Sequence, residues 1–214
     1  MERSLIMVRT AILVSGGGAN LQAILDAALF DELGECELCA VISSVPEAYA
    51  LKRAENAKIT ATVVDYSIFP NRASFTEAII KKLQDLDIDL VVLAGMNRWL
   101  ETQFFREYKN RIIFTHPSLL PSFYGACYPG ARAAREALEA GVRVTGATSL
   151  LVTDLPENAK IILQKAVDVL PDDTPAVLQR RIMEKAEWDI LIRSIQLYCS
   201  GRLTLMGDKL LIEE

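Results

Sequence analysis

The stretch Thr10-Ala-Ile-Leu-Val-Ser-Gly-Gly-Gly-Ala-Asn-Leu-Gln22 decides the fold. Thr10 to Val14 is a short apolar run of the kind that forms a buried strand. Ser15-Gly-Gly-Gly18 ends it, and Leu21, Ile24, Leu25 and Ala28 then recur at the spacing of one buried helix face. A strand, a glycine turn and a helix, in that order, open a crossover unit, so the chain is expected to be α/β.

The alternation continues outward from this unit. Leu38 to Ile42 is a second apolar run, followed by Pro46 and a helix-like stretch from Glu47 to Asn56. A strand around Ala61 to Val64 leads to a helix from about Ser74, whose stripe includes Ile79, Leu83 and Leu86. Leu90-Val-Val-Leu-Ala94 is apolar on both faces, the pattern of a central strand covered on each side. After a short helix near Thr102 to Tyr108, Arg111-Ile-Ile-Phe-Thr115 reads as a strand that delivers His116-Pro117 at its carboxyl end. Ligands of open parallel sheets bind outside those ends.

A helix from Gly130 to Ala140 precedes two strands, Ala147 to Val152 and Ile161 to Val169, expected to form an antiparallel edge. Asp173-Thr174-Pro175 supplies a cap and a first-turn proline for a long helix with Leu178, Ile182, Ala186 and Ile190 on one face. The expected architecture is a doubly wound, mostly parallel sheet in a single domain over residues 8–203. Residues 204–214 form a C-terminal tail, readable as a hairpin around Gly207-Asp208.

Composition narrows the function classes. With 51% hydrophobic and 24% charged residues in 214, the chain has the balance of a globular protein. A net charge of -5 argues against a general electrostatic grip on nucleic acid or an anionic membrane. No apolar run reaches the roughly 18 residues of a membrane span, and Met1 to Arg9 lacks the apolar core of a secretory signal. A cytoplasmic location is expected, and oligomeric state is left open. Cys36 and Cys39 form the one C-x-x-C, but on a strand residues three apart face opposite sides, so their thiols do not converge. With a single histidine and no second cysteine pair, a structural zinc site is not expected.

Two segments carry the chemistry. In Ser15-Gly16-Gly17-Gly18-Ala19-Asn20, backbone amides and the start of a helix can hold an anion while the glycines let a ligand approach. No Lys-Ser/Thr pair follows, as a P-loop requires, and Leu21 stands where a dinucleotide fingerprint has its last glycine. A tight turn without a ligand is the plainer reading, but it needs fewer glycines, so phosphate binding is favoured. The second segment is Arg111 to Pro121, where His116 stands at the end of a buried strand with a proline setting the exit path. That histidine is placed to relay a proton or to face developing negative charge.

His116-Pro-Ser-Leu-Leu-Pro121, preceded by Leu93-Ala-Gly95 and Arg98, resembles the core of the tetrahydrofolate-dependent formyltransferases. The likeness extends through Val152-Thr-Asp154, Ile162-Leu-Gln164 and Gly201-Arg-Leu203, nearly the whole chain. The loop Ser15 to Gln22 is similar to that of the branch acting on phosphoribosylglycinamide (GAR). The resemblance implies a Rossmann-like formyltransferase fold and formyl transfer from 10-formyltetrahydrofolate to the primary amine of GAR, or of a similar phosphorylated amine, in purine biosynthesis. It implies no metal. His116 matches the family's catalytic histidine, which stabilises the oxyanion as the amine attacks. Gly17, Gly18, Ala19 and Asn20 match the substrate phosphate loop, Glu187 a carboxylate at the glycinamide end, and Arg98 and Leu100 the folate pocket.

The chain departs from the family pattern at two positions. Phe114 stands where the family has asparagine, on the same strand face as His116, whereas Thr115 points away. Glu157, in Glu157-Asn-Ala-Lys160, stands in place of the aspartate of an Asp-Gly-Gly-Pro loop, with Asp154 as a second candidate. The chain is also longer around residues 122–130. Three readings stay open at this point: a formyltransferase with His116 and Glu157 as catalytic residues, a catalytically weak binder of a phosphorylated ligand, and a relative with another acceptor, including a formyltetrahydrofolate hydrolase.

Overall fold

The computed structural model describes residues 7–98, 100–123 and 130–213. Most of the longer segment expected at 122–130, residues 124–129, lies outside the described residues. In chain order the elements are β1 (Val8–Val14), α1 (Ala19–Leu29), β2 (Cys36–Ser43), α2 (Tyr49–Asn56), β3 (Thr60–Val63), α3 (Arg72–Asp85), β4 (Leu90–Leu93), α4 (Thr102–Glu107), β5 (Ile112–His116), α5 (Gly130–Glu139), β6 (Val144–Val152), β7 (Lys160–Asp168), α6 (Pro175–Ile182), α7 (Trp188–Cys199), β8 (Leu203–Met206) and β9 (Lys209–Ile212).

Among the described residues, a seven-stranded sheet runs in the order β3-β2-β1-β4-β5-β6-β7. The first five strands are parallel, and β6 and β7 form the antiparallel edge. The winding reverses between β1 and β4, where an open α/β sheet leaves a crevice at its carboxyl end. The loops leaving these strands are tied together there: the Ser15 hydroxyl accepts from the Asn97 amide at 3.0 Å and lies 2.7 Å from the Ser44 hydroxyl.

Strand alternation sends side chains into two cores. Ile12, Val14, Leu90, Val92 and Ile113 pack with Leu21 and Ile24 of α1 and Leu191 and Ile195 of α7. Ala11, Leu13, Val91 and Ile112 pack on the other face with Phe75 and Ile79 of α3 and Phe104 of α4. Burial of each Val, Leu, Ile or Phe side chain among these contributes about 1.5–3 kcal/mol. The same alternation puts Thr115 on the α1/α7 face of β5 and Phe114 on the α3/α4 face. It also separates Cys36, packed in the first core, from Cys39, packed against the second.

A third core lies under α5 and α6, where Ala134, Ala147, Leu178 and Ile182 meet. The Thr174 hydroxyl caps α6 by accepting from the Val177 amide, with Pro175 in the first turn. The long helix expected from Thr174 is there, but it is not regular. Between α6 and α7 the residues Met183–Glu187 form a π-turn, where the backbone bonds span five residues instead of four. Leu178, Ile182, Ala186 and Ile190 explain it. A strict spacing of four drifts about 40° per step around an α-helix, and a wider turn keeps the stripe on the core. The tail is a hairpin whose Met206 and Lys209 pair directly, so Gly207-Asp208 is its two-residue turn, with Gly207 at φ 59°.

Candidate active site

The triglycine turn sits at the carboxyl end of β1 and its last residue, Gly18, precedes α1 in the left-handed conformation, φ 71°. The α2 segment reaches across to it. The Ala50 amide donates to the Gly16 carbonyl at 3.1 Å, and Arg53 Nε donates to the Gly17 carbonyl at 2.8 Å. In a trans peptide the N–H points opposite to the C=O, so fixing both carbonyls toward α2 turns the amides of Gly17 and Gly18 the other way. Those amides join the first-turn amides of α1, Ala19 and Asn20 among them, which have no acceptor within their own helix. Side chains added at Gly16 or Gly17 would meet nothing within 4 Å. Converging amides, open space and the positive end of a helix dipole make an anion cradle.

Arg53 is itself braced, donating to Gln22 Oε1 at 2.7 Å and lying 4.9 Å over the Tyr49 ring. Gly18 is the least replaceable residue of the turn, because a Cβ there would lie 2.8 Å from that of Ala50. Gly18→Ala is expected to cost about 1–3 kcal/mol, and about 2–4 °C of Tm for each kcal/mol in a chain of this size. Anion affinity falls with it. Thermal melts with and without inorganic phosphate would check both effects, and an unchanged melt with unchanged phosphate protection would remove the turn from the site.

Beside the cradle lies Glu187, on the last residue of the π-turn and 9% exposed. Asn20 Nδ2 donates to its Oε1 at 2.8 Å, and the Thr115 hydroxyl donates to the same oxygen at 2.6 Å. Trp188 Nε1 in turn donates to Asn20 Oδ1 at 3.1 Å. An indole N–H can only donate, so it sets which end of the Asn20 amide faces Glu187. Burial raises the Glu187 pKa, while the bonds from Thr115 and Asn20 oppose the rise. The side chain of Asn20 is therefore engaged with Glu187 and Trp188, and its backbone amide is what it offers to an anion.

His116 follows Thr115 and is buried. Its Nδ1 lies 3.0 Å from Ser118 Oγ, and Ser118 donates its own hydroxyl hydrogen to the Ser122 carbonyl at 2.6 Å. A hydroxyl has one hydrogen to give, so Nδ1 must be the donor to Ser118, and the neutral ring carries its lone pair on Nε2. Desolvation lowers the His116 pKa, which favours that neutral form. The backbone that follows is held by Thr148, whose hydroxyl donates to the Ser118 carbonyl at 2.7 Å and accepts from the Leu120 amide at 3.1 Å.

Phe114 packs against the second core, which also takes Leu93, Met96, Leu155 and Ala159, with Leu100 buried among them. These form an apolar wall beside the end of β5. Arg98 is exposed and lies 4.8 Å over the Tyr66 ring. Glu157 is exposed on the β6–β7 connection and lines a hollow of about 200 Å³ with Leu120, Pro121, Leu150, Pro156, Ala159 and Ile161. Asp154 lines a different, polar groove with Lys109, Asn110 and Asp208, which Glu157 also borders. Among the described residues there is no group of three or more His, Cys, Asp or Glu side chains able to hold a metal, and no helix is long and apolar enough to cross a membrane.

Of the positions expected from the sequence, Gly17, Gly18, Ala19 and Asn20 form the turn and first helical residues, and Glu187 is bonded to Asn20. The sequence alone leaves Thr115, Trp188, Arg53 and Ser118 without a role. Ser118 had a local signal, a hydroxyl two residues after the only histidine. The others act across long sequence separations and had none.

The family model described as formyl transferase matches residues 8–195. The trifunctional purine biosynthetic protein adenosine-3 of Homo sapiens is 38% identical over 197 residues, covering 92% of this chain, and the chain spans only 19% of that protein's length. The phosphoribosylglycinamide formyltransferase of Haemophilus influenzae is 35% identical over 202 residues, covering 94% of this chain and 92% of that one. The crystal structure of glycinamide ribonucleotide transformylase 1 from Symbiobacterium toebii superimposes with a TM-score of 0.90 at 39% identity, covering 99% of this chain and 96% of that one. With a family model spanning the sheet from β1 into α7, and the glycine turn, His116 and Glu187 all inside the matched region, the chain belongs to the formyl transferase family.

Proposed function

We propose that this protein transfers a formyl group from 10-formyltetrahydrofolate to the primary amine of phosphoribosylglycinamide, in the cytoplasm. The observation that carries the reading is the direct bond from Asn20 to Glu187. It joins an anion cradle to a buried carboxylate, so one device meets both the phosphate and the hydroxyl or N–H donors beyond it. Thr115 extends the same device to the strand that ends in His116.

In this reading the phosphate sits on the amides of Gly17, Gly18, Ala19 and Asn20. The apolar wall of Leu93, Met96, Leu100, Leu155 and Ala159 takes the flat pterin, with Phe114 filling the place of a polar side chain and Arg98 at the rim. As the amine nitrogen attacks the formyl carbon, a C–N bond forms and the carbonyl oxygen gains negative charge. Nε2 of neutral His116 accepts the proton the amine must lose, and the resulting imidazolium then faces the oxyanion. Collapse breaks the bond to N10 of the folate, which takes up the proton that the imidazolium gives back, so His116 returns to its neutral form. Glu157, which lines a hollow with Leu120 and Pro121, is the carboxylate assigned to that proton's path in this reading.

The test is a purified chain given GAR and 10-formyltetrahydrofolate while folate absorbance is followed. GAR-dependent release of tetrahydrofolate is expected. Release without GAR would make the protein a hydrolase of the formyl donor. No turnover, with GAR still raising Tm, would make it a binder, and either outcome overturns the proposal.

A further inference from the structure

We propose that Thr115 is a positioning residue for Glu187, holding one carboxylate oxygen so that the other is presented to the phosphorylated substrate. This rests on the function proposed above. Thr115 lies on the opposite face of β5 from Phe114 and is one residue from the histidine, yet it serves a different part of the site.

The indole of Trp188 takes Asn20 Oδ1, which leaves Asn20 Nδ2 to donate to Glu187 Oε1. The Thr115 hydroxyl donates to that same Oε1 from the strand side. Two donors from two elements, α1 and β5, therefore converge on one oxygen of a buried carboxylate, and neither bonds the other oxygen. Oε1 is filled, and the acceptor capacity of the carboxylate is concentrated on Oε2. A carboxylate held by one bond can still swing about its last torsion, whereas two donors from separate elements on the same oxygen restrict that rotation. An ionised group this buried is costly unless its hydrogen bonds are made, which gives the Thr115 bond a value that a hydroxyl at a strand end does not ordinarily have.

The geometry also bears on selectivity. Because Oε1 is committed, Oε2 can recognise only a ligand that brings hydrogen-bond donors within one side chain's reach of the cradle. A phosphorylated compound carrying hydroxyl or N–H groups next to its phosphate fits, and a phosphate attached to an apolar chain leaves Oε2 unanswered.

The experiment compares Thr115→Val, which keeps the shape and loses the hydroxyl, with Thr115→Ser, which keeps the hydroxyl. Steady-state kinetics are run with GAR and the formylated folate varied separately, and GAR affinity is measured by calorimetry. For Thr115→Val, KM and Kd for GAR are expected to rise about tenfold, with kcat and the folate KM within about twofold, and Thr115→Ser is expected to restore them. Thr115→Ala repeats the test if the valine chain does not fold. A valine variant with unchanged GAR affinity, or a serine variant no better than valine, overturns the proposal. If the unaltered protein binds GAR without transferring a formyl group, the function reading fails while the calorimetric comparison still decides the role of Thr115. If it neither turns over nor binds GAR, both are overturned.

Discussion

Replacing His116 by alanine is expected to lower kcat by about 10²- to 10⁴-fold, the usual contribution of a positioned acid–base group, with the KM for GAR little changed. With the lone pair of the neutral ring on Nε2, the pH profile is the sharper measurement. Burial holds the imidazole pKa below its ordinary value, so the neutral base persists as pH falls through 6.5 and is lost only further down. The acid limb of kcat/KM in the unaltered protein is expected below pH 6.5, and it is expected to disappear from the residual activity of the variant. Stability follows the same sign. Below the ordinary histidine value the unfolded chain takes up a proton that the folded chain resists, so this group's contribution is intact above that value and lost as pH falls toward the folded pKa. An alanine variant that kept full turnover would remove His116 from the mechanism.

Glu187→Gln is expected to separate function from stability. Glutamine can place its carbonyl oxygen where Oε1 now accepts from Asn20 and Thr115, so the local network survives. The charge does not, and a charge-assisted bond to substrate is lost, raising the KM for GAR by about 10- to 100-fold. Burial raises the Glu187 pKa, which means the folded state disfavours the ionised form. Stability from this group is fullest below the ordinary glutamate value and declines as pH rises through the folded pKa. At neutral pH the neutral amide removes that cost, so Tm in the absence of substrate is expected to rise. A calorimetric scan at pH 5 and pH 8 checks the sign, since the gain should be larger at the higher pH. Lower Tm at both values would show that the carboxylate stabilises the empty protein.

Much of the architecture is readable from local pattern, because a buried strand announces itself as a short apolar run and a covered helix as a stripe. The glycine turn and His116 are readable for the same reason: each sits at a strand end that the runs define. Strand alternation also places Phe114 and Thr115 on opposite faces of β5. It does not say what waits on the far face, and Thr115 looks idle in the sequence because its partner is 72 positions away. Asn20 and Glu187 are 167 apart, and Arg53 reaches the Gly17 carbonyl from 36 residues downstream. Only the crossover topology brings such residues together. The π-turn, by contrast, was visible in principle, since apolar residues every fourth position do not fit a regular helix.

That wide turn makes Glu187 separable from the scaffold on either side of it. A turn of this kind amounts to one extra residue in a helix, and losing one residue would restore the ordinary winding while Leu178 and Ile182 before it and Leu191 and Ile195 after it kept their buried faces. A single-codon deletion in the turn thus exchanges the group offered to the ligand without repacking the helices on either side. Under the proposed function, acceptor choice would then evolve as a character independent of foldability.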